Sequence, residues 1–182
     1  KDGKPLTDRE LRAFFTLLFL AGSETTRNAI TGGVLAFIEN PMQLASLRAN
    51  PSEIKLGIEE ILRWTTPSIY KRRTATKNVS LQDKTIKSGD KITFWEMSAN
   101  RDESVFSNPF EFDISREPNP HLGFGQGIHF CLGASLARME MRVVFQELLS
   151  RNENWILKED PAWVPNNRLL GLKSLYIQSI PS

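Results

Sequence analysis

The stretch His121–Gly133, which reads HLGFGQGIHFCLG, constrains this chain more than any other part of it. This glycine-rich loop holds the single cysteine and both histidines of the 182 residues. One cysteine permits no internal disulfide, which favours a reducing compartment. A lone cysteine is often only a small apolar side chain in a core. Its neighbours therefore decide whether this cysteine fills space or binds something.

The loop around Cys131 has the chemistry of a metal-ligand site. Cys131 comes just before a predicted helix, where backbone N–H groups and the positive end of the helix dipole favour a thiolate. Gly125, Gly127 and Gly133 allow the backbone to approach a large flat group without Cβ collisions. Zinc would need three more ligands, and Cys and His are nearly exhausted, so structural zinc is not expected. A single axial thiolate on an iron porphyrin needs only this one cysteine.

The pattern FGxGxHxCxG, complete here from Phe124 to Gly133, resembles the ligand signature of the cytochrome P-450 (haem-thiolate monooxygenase) family. The likeness extends over essentially the whole chain. It implies a mainly α fold with small antiparallel β-sheets, the C-terminal haem-binding half of the cytochrome P-450 fold. It also implies haem b as cofactor, with Cys131 as the axial ligand of the iron.

The family's chains are about twice as long as this one. We therefore expect residues 1–182 to be the C-terminal portion of a single domain whose N-terminal half is absent. The opening KDGKPL is then a loop within a longer chain, and the apolar face of Phe14–Leu20 is expected to lie uncovered.

Local patterns predict the order of helices and strands. Thr7–Glu10 is a capping box that starts a long helix, and Asn40-Pro41 ends this helix. From Tyr70 onward, β-formers alternate with Gly and Asp turns, which predicts short antiparallel strands. The other predicted segments are helices from Pro41 to Ala49, from a Ser52–Glu53 cap to Thr65 and from Leu132 to Ser150, a loop over Val105–Pro120, and strands at Trp155–Leu157 and Ser174–Ser179.

The segment Ala21–Thr26 lies in the middle of the long predicted helix. Gly costs ~1 kcal/mol relative to Ala in a helix, so this segment is either a tolerated weak point or a functional one. Ala21 and Thr25 share one helix face, and the Thr25 hydroxyl is expected to bond back to the helix. The segment resembles the family's A-G-x-[D/E]-T oxygen-activation element. The resemblance implies that Ala21 and Gly22 leave room for dioxygen and that Glu24 and Thr25 are catalytic, guiding protons.

Glu60 and Arg63 stand at i, i+3 on one helix face, which on its own usually means a solvated ion pair. The resemblance changes this reading, because E-x-x-R is the family's structural lock. An arginine from the following loop completes the lock, and Arg116 in FDISREP occupies that position. A buried network of this kind is bidentate and intolerant of losing one member. We therefore expect these three residues to be structural.

The resemblance also places residues around the cofactor and the substrate. Arg73 and His129 match the positions that bind the haem carboxylates, whereas alternation sends Arg72 to the other face. His121 is expected to be a hydrogen-bonded turn residue. The full set implied at the cofactor is Ala21, Gly22, Arg73, Phe124, Gly125, His129, Cys131 and Gly133. Ser68, Ile69 and Leu170 are implied in the substrate pocket, where apolar residues suit a hydrophobic substrate.

Several stretches, among them RWTTP and RRTAT, look most like bacterial steroid side-chain (cholesterol-type) hydroxylases. The implied function is hydroxylation of a sterol or related lipid side chain, using O2 and two electrons from a ferredoxin or similar reductase partner. A fatty acid or a terpenoid is the alternative substrate. The alternative functions are a haem-binding protein without monooxygenation, either a sensor or a peroxide-using enzyme, and an inactive fragment. Arg138 and Arg142 belong either to a solvated helix face or to a docking patch for an acidic ferredoxin.

Bulk composition excludes some partners. The net charge of +2 and pI near 8.8 are too mild to indicate nucleic-acid binding. The longest apolar run, AFFTLLFLAG, has about half of the ~20 residues that a membrane span needs. We expect no membrane span in this segment and a cytoplasmic location.

Overall fold

A computed structural model of the chain describes residues 3–151 and 153–181 and confirms the mainly α fold with small antiparallel sheets. Lys1 and Asp2 of the predicted opening loop lie outside the described residues. The helices are α1 (Asp8–Glu39), α2 (Pro41–Ala49), α3 (Ile54–Thr65), α4 (Glu96–Ala99) and α5 (Ala134–Ser150), with 3₁₀ turns at Pro51–Glu53 and Gly127–His129.

The strands form four antiparallel pairs, each with two members. The pairs are β1 (Tyr70–Thr74) with β4 (Lys91–Trp95), β2 (Val79–Leu81) with β3 (Lys84–Ile86), β5 (Glu153–Leu157) with β8 (Ile177–Pro181), and β6 (Ala162–Trp163) with β7 (Leu172–Ser174).

Helix α1 begins and ends where its local signals predict. The Thr7 hydroxyl accepts from Glu10 N at 3.3 Å, and Glu10 Oε2 accepts from Thr7 N at 2.9 Å, so the capping box is confirmed. The helix continues without interruption through Gly22 and ends at Glu39, before Pro41 starts α2.

Two details of the predicted elements are wrong, and two short elements were not predicted. Ser52 and Glu53 make no side-chain cap, because they belong to a 3₁₀ turn that leads directly into α3. The predicted strand at Ser174–Ser179 is split between β7 and β8. Helix α4 and the two-residue strand β6 were not predicted, since neither is long enough to show a periodic pattern.

The core lies where the second half of α1 crosses α3 and α5. Phe37 and Phe145 are fully buried and meet edge to face with ring centroids 5.8 Å apart. The helices approach closely because of Gly33, where an added Cβ would stand 2.8 Å from side-chain atoms of both Ile61 and Phe145. This crossing fixes the position of α3, which carries the E-x-x-R pair.

The first half of α1 packs against little of the described chain. Its large apolar side chains are exposed, with Phe15 at 69% and Phe19 at 67%, as expected for the Phe14–Leu20 face. Within the described residues, no helix has both the length and the apolar character to cross a membrane. Helix α1 is therefore half core element and half open surface.

Candidate functional site

The structure brings Glu60, Arg63 and Arg116 together. The side chains of Glu60 and Arg63 are fully buried, and they form a bidentate pair in which Nε and Nη2 each donate to a carboxylate oxygen at 2.7 Å. Arg116 Nε adds a third contact to Glu60 Oε2 at 3.2 Å. Glu60 is therefore the shared carboxylate partner of two guanidinium groups, so the charge of Arg63 is paired inside the core, as a buried ion requires.

Glu60 and Arg63 also bind the irregular loop Val105–Pro120, which forms no helix or strand, as predicted. Arg63 Nη1 donates to Pro109 O at 2.8 Å and Nη2 donates to Glu111 O at 2.9 Å. Glu60 accepts from Asp113 N at 2.9 Å. A loop without regular ladders thus has several of its backbone groups bonded by side chains of α3.

Two asparagines complete this network, and sequence reasoning missed both. Asn119 Nδ2 donates to Glu60 Oε2 at 3.0 Å. Asn100 is fully buried. Its backbone carbonyl accepts from Arg63 Nη1, and its side-chain Nδ2 donates to Thr66 Oγ1 at 2.9 Å. Asn100 Oδ1 accepts from Leu122 N at 2.7 Å, which joins the network to the start of the cysteine loop. An asparagine in a loop normally indicates only a turn, so the sequence carries no signal for these roles.

The cysteine loop is a compact turn that presents Cys131 just ahead of α5. Gly125 and Gly127 have φ of +73° and +72°, a left-handed region that favours glycine. Gly125 N donates to Leu122 O at 2.8 Å, and Cys131 N donates to Phe124 O at 2.9 Å. The backbone of the loop is therefore hydrogen-bonded to itself, while the Cys131 side chain is exposed.

The loop and the start of α5 expose an apolar surface next to the thiol. Ile128 is 98% exposed and Leu132 is 77% exposed. A Cβ added at Gly133 would meet no atom of the described residues within 4 Å. His129 also lies on the exposed side of the loop. Exposed apolar side chains around an exposed thiol are the surface that a large flat apolar group would cover.

Glu59, His121 and Arg138 meet at the start of the cysteine loop, and the sequence did not indicate that they would. Arg138 Nε and Nη2 each donate to the Glu59 carboxylate at 2.7 Å, and His121 Nε2 lies 3.0 Å from Glu59 Oε2. His121 Nδ1 accepts from Gly123 N at 3.1 Å, so His121 is a hydrogen-bonded turn residue, as predicted. The charge of Arg138 is offset by Glu59, which weakens the case for Arg138 in a docking patch.

The middle of α1 is open. Thr25 Oγ1 donates to Ala21 O at 2.9 Å, which is the predicted back-bond. Residues Ala21–Glu24 are exposed and Thr25 is half-buried. A Cβ added at Gly22 would meet no atom of the described residues within 4 Å. The segment therefore borders free space in the described part of the chain.

Arg73 lies on β1, where its guanidinium stands 5.6 Å from the centroid of the Phe94 ring and donates to Arg72 O. Arg72 and Arg73 are both exposed. Within residues 3–151 and 153–181, no hydrogen bond or ion pair joins Arg73 to His129. The two residues predicted to bind the haem carboxylates, Arg73 and His129, are thus both exposed.

The two segments predicted to line the substrate pocket are adjacent. Ser68 forms a β-bridge with Leu169, Ile69 N donates to Arg168 O at 2.9 Å, and Leu170 N donates to Pro67 O at 2.9 Å. Leu170 also lines a cleft of about 190 Å³ between α1, α3 and the β6–β7 hairpin, which Ser68 and Ile69 do not line.

A partly buried ion pair lies beside Ser68. Lys71 Nζ donates to Ser68 Oγ at 2.6 Å and to Glu96 Oε2 at 2.8 Å. Burial raises the pKa of the Glu96 carboxyl, although Lys71 opposes that shift. Ser68 is therefore in a polar environment at the edge of a mostly apolar region.

The chain matches the sequence model of the family described as Cytochrome P-450 over residues 54–178. This match covers more than half of the chain, and the chain belongs to the cytochrome P-450 family. The resemblance stated from the sequence is thereby confirmed. Members of this family carry a haem iron with a cysteine thiolate ligand.

Individual relatives agree with the family match. The chain is 55% identical over 97% of its length to cytochrome P-450 126 of Mycobacterium tuberculosis, and 47% identical over 96% to a methyl-branched lipid omega-hydroxylase of Mycobacterium bovis. It covers 43% and 41% of those two proteins, less than half of each. The crystal structure of CYP109E1 from Bacillus megaterium in complex with corticosterone superposes with a TM-score of 0.92 at 37% identity, over 98% of this chain and 49% of that one.

Proposed function

We propose that the protein carrying this chain is a haem-thiolate monooxygenase and that residues 1–182 are the C-terminal, haem-binding portion of its single cytochrome P-450 domain. The observation that supports this most directly is the position of Cys131. In a member of this family, the only cysteine is exposed at the end of a self-bonded glycine loop, beside an exposed apolar surface. The reaction is hydroxylation of a hydrophobic substrate with O2 and two electrons.

The donors present fit haem b. Cys131 would supply the thiolate ligand, and Gly125 and Gly133, which carry no side chain, would let a macrocycle approach the loop beside Phe124. Arg73 and His129 are the exposed donors for the two haem carboxylates. When bound, haem iron supplies the activation of dioxygen, which no side chain of this chain provides.

The middle of α1 supplies the proton handling. The Thr25 hydroxyl donates its hydrogen to Ala21 O. Thr25 Oγ1 can therefore still accept a hydrogen bond through its lone pairs. Glu24, the residue directly before Thr25, is exposed and delivers protons from solvent. Ala21 is small and exposed, and the space beside Gly22 holds no side-chain atom of the described residues within 4 Å of an added Cβ.

Glu60, Arg63 and Arg116 act as a structural lock in this proposal. They hold the Val105–Pro120 loop, and Asn100 extends their network to Leu122 at the start of the cysteine loop. The side chains of all three are buried, and their role is to fix the Val105–Pro120 loop and, through Asn100, the start of the loop that carries the thiolate.

The substrate we favour is a sterol or related lipid side chain. One relative is named a methyl-branched lipid omega-hydroxylase, and one similar structure contains corticosterone. Ser68, Ile69 and Leu170 contribute to the pocket from two bridged segments. A fatty acid and a terpenoid remain the alternative substrates. A ferredoxin or similar reductase partner supplies the electrons, and a cytoplasmic location suits such a partner.

The test replaces Cys131 with serine in the full-length protein. Cys131→Ser should abolish the thiolate band in the carbon-monoxide difference spectrum of the ferrous protein while leaving the helical circular dichroism unchanged. Ser150→Ala, at the far end of α5, is the control and should keep the band. A wild-type band in Cys131→Ser contradicts the ligand assignment. A thiolate band without hydroxylated lipid product, under electron supply, would instead favour the haem-binding alternative.

A further inference from the structure

Glu59, His121 and Arg138 form a cluster that the lock and the proposed catalytic segment do not use. Glu59 lies on α3 beside Glu60, His121 begins the cysteine loop, and Arg138 lies on α5. One carboxylate thus connects three elements, through two 2.7 Å contacts to Arg138 and one 3.0 Å contact to His121. We call these three residues the Glu59 cluster.

The electrostatics of the Glu59 cluster are strong for a site near the surface. Burial opposes ionisation of Glu59, but hydrogen bonds from Arg138 and His121 outweigh it and lower the pKa of this carboxyl to about 2. The hydrogen bond to Glu59 raises the pKa of Arg138. Because His121 Nδ1 accepts from Gly123 N, its Nε2 is the protonated nitrogen and donates to Glu59. All three residues therefore have defined hydrogen-bonding partners.

A short series of contacts leads from this cluster to Cys131. The Arg138 guanidinium stands 4.5 Å from the centroid of the Phe124 ring, a cation–π geometry. The carbonyl of Phe124 accepts the backbone N–H of Cys131 at 2.9 Å. Phe124 therefore contacts Arg138 through its ring and Cys131 through its backbone carbonyl.

We propose that Glu59 is a positioning residue for the Cys131 thiolate: by orienting Arg138 and His121, it fixes Phe124 and with it the backbone of the cysteine loop. The proposal rests on Cys131 being the haem ligand. Outer hydrogen-bond partners of metal ligands orient those ligands and change metal affinity by about 10–100-fold when they are lost. Glu59 does not contact Cys131 itself and acts indirectly, through the loop that carries the ligand.

A simpler interpretation is that Glu59 and Arg138 form only an ion pair that joins α3 to α5. Their side chains are 25% and 38% exposed, and exposed ion pairs contribute ~0–1 kcal/mol. This reading does not account for His121, whose side chain is 3% exposed and bonds both to Glu59 and to the loop backbone. The two readings differ in whether the iron's ligand environment responds to Glu59.

The experiment uses the full-length holoprotein with Glu59→Gln, which keeps the size of the side chain and removes its charge. We expect the thiolate band of the ferrous carbon-monoxide complex to decay to the thiol form about tenfold faster than in wild type. We also expect a shift in the reduction potential of the iron and faster haem transfer to an acceptor globin. Glu147→Gln is the matched control, because Glu147 pairs with Arg151 at the exposed end of α5, and it should change none of these values.

Arg138→Lys is the second variant, for the case that Glu59→Gln loads too little haem. It keeps the charge but loses the bidentate geometry and the stacking on Phe124, so it should give the same changes at smaller size. A lower melting temperature with an unchanged potential and decay rate in both variants would overturn the proposal. If those values are unchanged while Cys131→Ser still loses the thiolate band, only this inference fails and the ligand assignment stands.

Discussion

The E-x-x-R segment of α3 and the A-G-x-E-T segment of α1 are both compact motifs, yet the structure surrounds them very differently. Both oxygens of Glu60 and all three guanidinium nitrogens of Arg63 have hydrogen-bond partners, and both side chains are fully buried. The residues Ala21–Glu24 are exposed, and the back-bond of Thr25 stays within α1 itself. Residues that build the fold have their partners in this chain, whereas residues proposed for chemistry border open space.

The largest effect on stability is expected at the lock. Glu60→Ala in the full-length protein removes the partner of Arg63 and leaves a buried charge unpaired, at a cost of ~3–5 kcal/mol. The protein should lose haem retention or fail to fold. Glu147→Ala is the control, since it breaks an exposed pair worth ~0–1 kcal/mol. A soluble, haem-loaded Glu60→Ala protein with a wild-type melting temperature would show that the pair is dispensable.

A medium effect is expected at the crossing of α1 with α3 and α5. In Gly33→Ala the new Cβ would stand 2.8 Å from side-chain atoms of Ile61 and Phe145, so the helices must move apart. Overpacking of this kind costs ~1–3 kcal/mol. Chemical denaturation should therefore show a lower free energy of unfolding. An unchanged value would mean that the crossing yields without cost.

The same substitution at Gly22, eleven positions earlier on α1, should have the opposite sign. Apart from the adjoining residues and backbone of α1, no atom of the described residues lies within 4 Å of the added Cβ, and Ala is favoured over Gly in a helix by ~1 kcal/mol. Gly22→Ala should raise the free energy of unfolding by up to that amount while reducing hydroxylation, because the methyl group enters the proposed dioxygen space. A variant that is more stable and fully active would place Gly22 outside that space.

The smallest effect on stability is expected at Thr25. Thr25→Ala removes only a back-bond, so the free energy of unfolding should change by no more than about 0.5 kcal/mol. Haem and substrate binding and the consumption of reducing equivalents should persist, while the ratio of hydroxylated product to hydrogen peroxide falls, by up to ~10²-fold. Thr16→Ala is matched to it, because Thr16 makes the same back-bond to Arg12 O at 2.9 Å. Equal ratios in the two variants would make Thr25 a packing residue.

The features that the sequence determined by itself are those encoded within one turn or one loop. The capping box of α1 depends on residues three apart, the pairing of Glu60 with Arg63 depends on the i, i+3 spacing, and the glycine loop depends on backbone freedom at Gly125 and Gly127. Short-range geometry of this kind is a property of the residue types and their spacing. The order of the amino acids is therefore enough to predict it.

The family resemblance predicted the distant contact of Arg116 with Glu60, but the tertiary structure alone decided which other distant residues meet. Glu59 and Arg138 are 79 positions apart, and Asn100 meets Leu122 and Thr66 across 22 and 34 positions. Each of these residues, taken locally, indicates only a solvated helix face or a turn. Their partners are set by how α1, α3 and α5 cross, and that crossing depends on the packing of Gly33, Ile61 and Phe145 in three dimensions. No periodicity along the chain encodes such a pairing, because it arises only when the whole core is assembled.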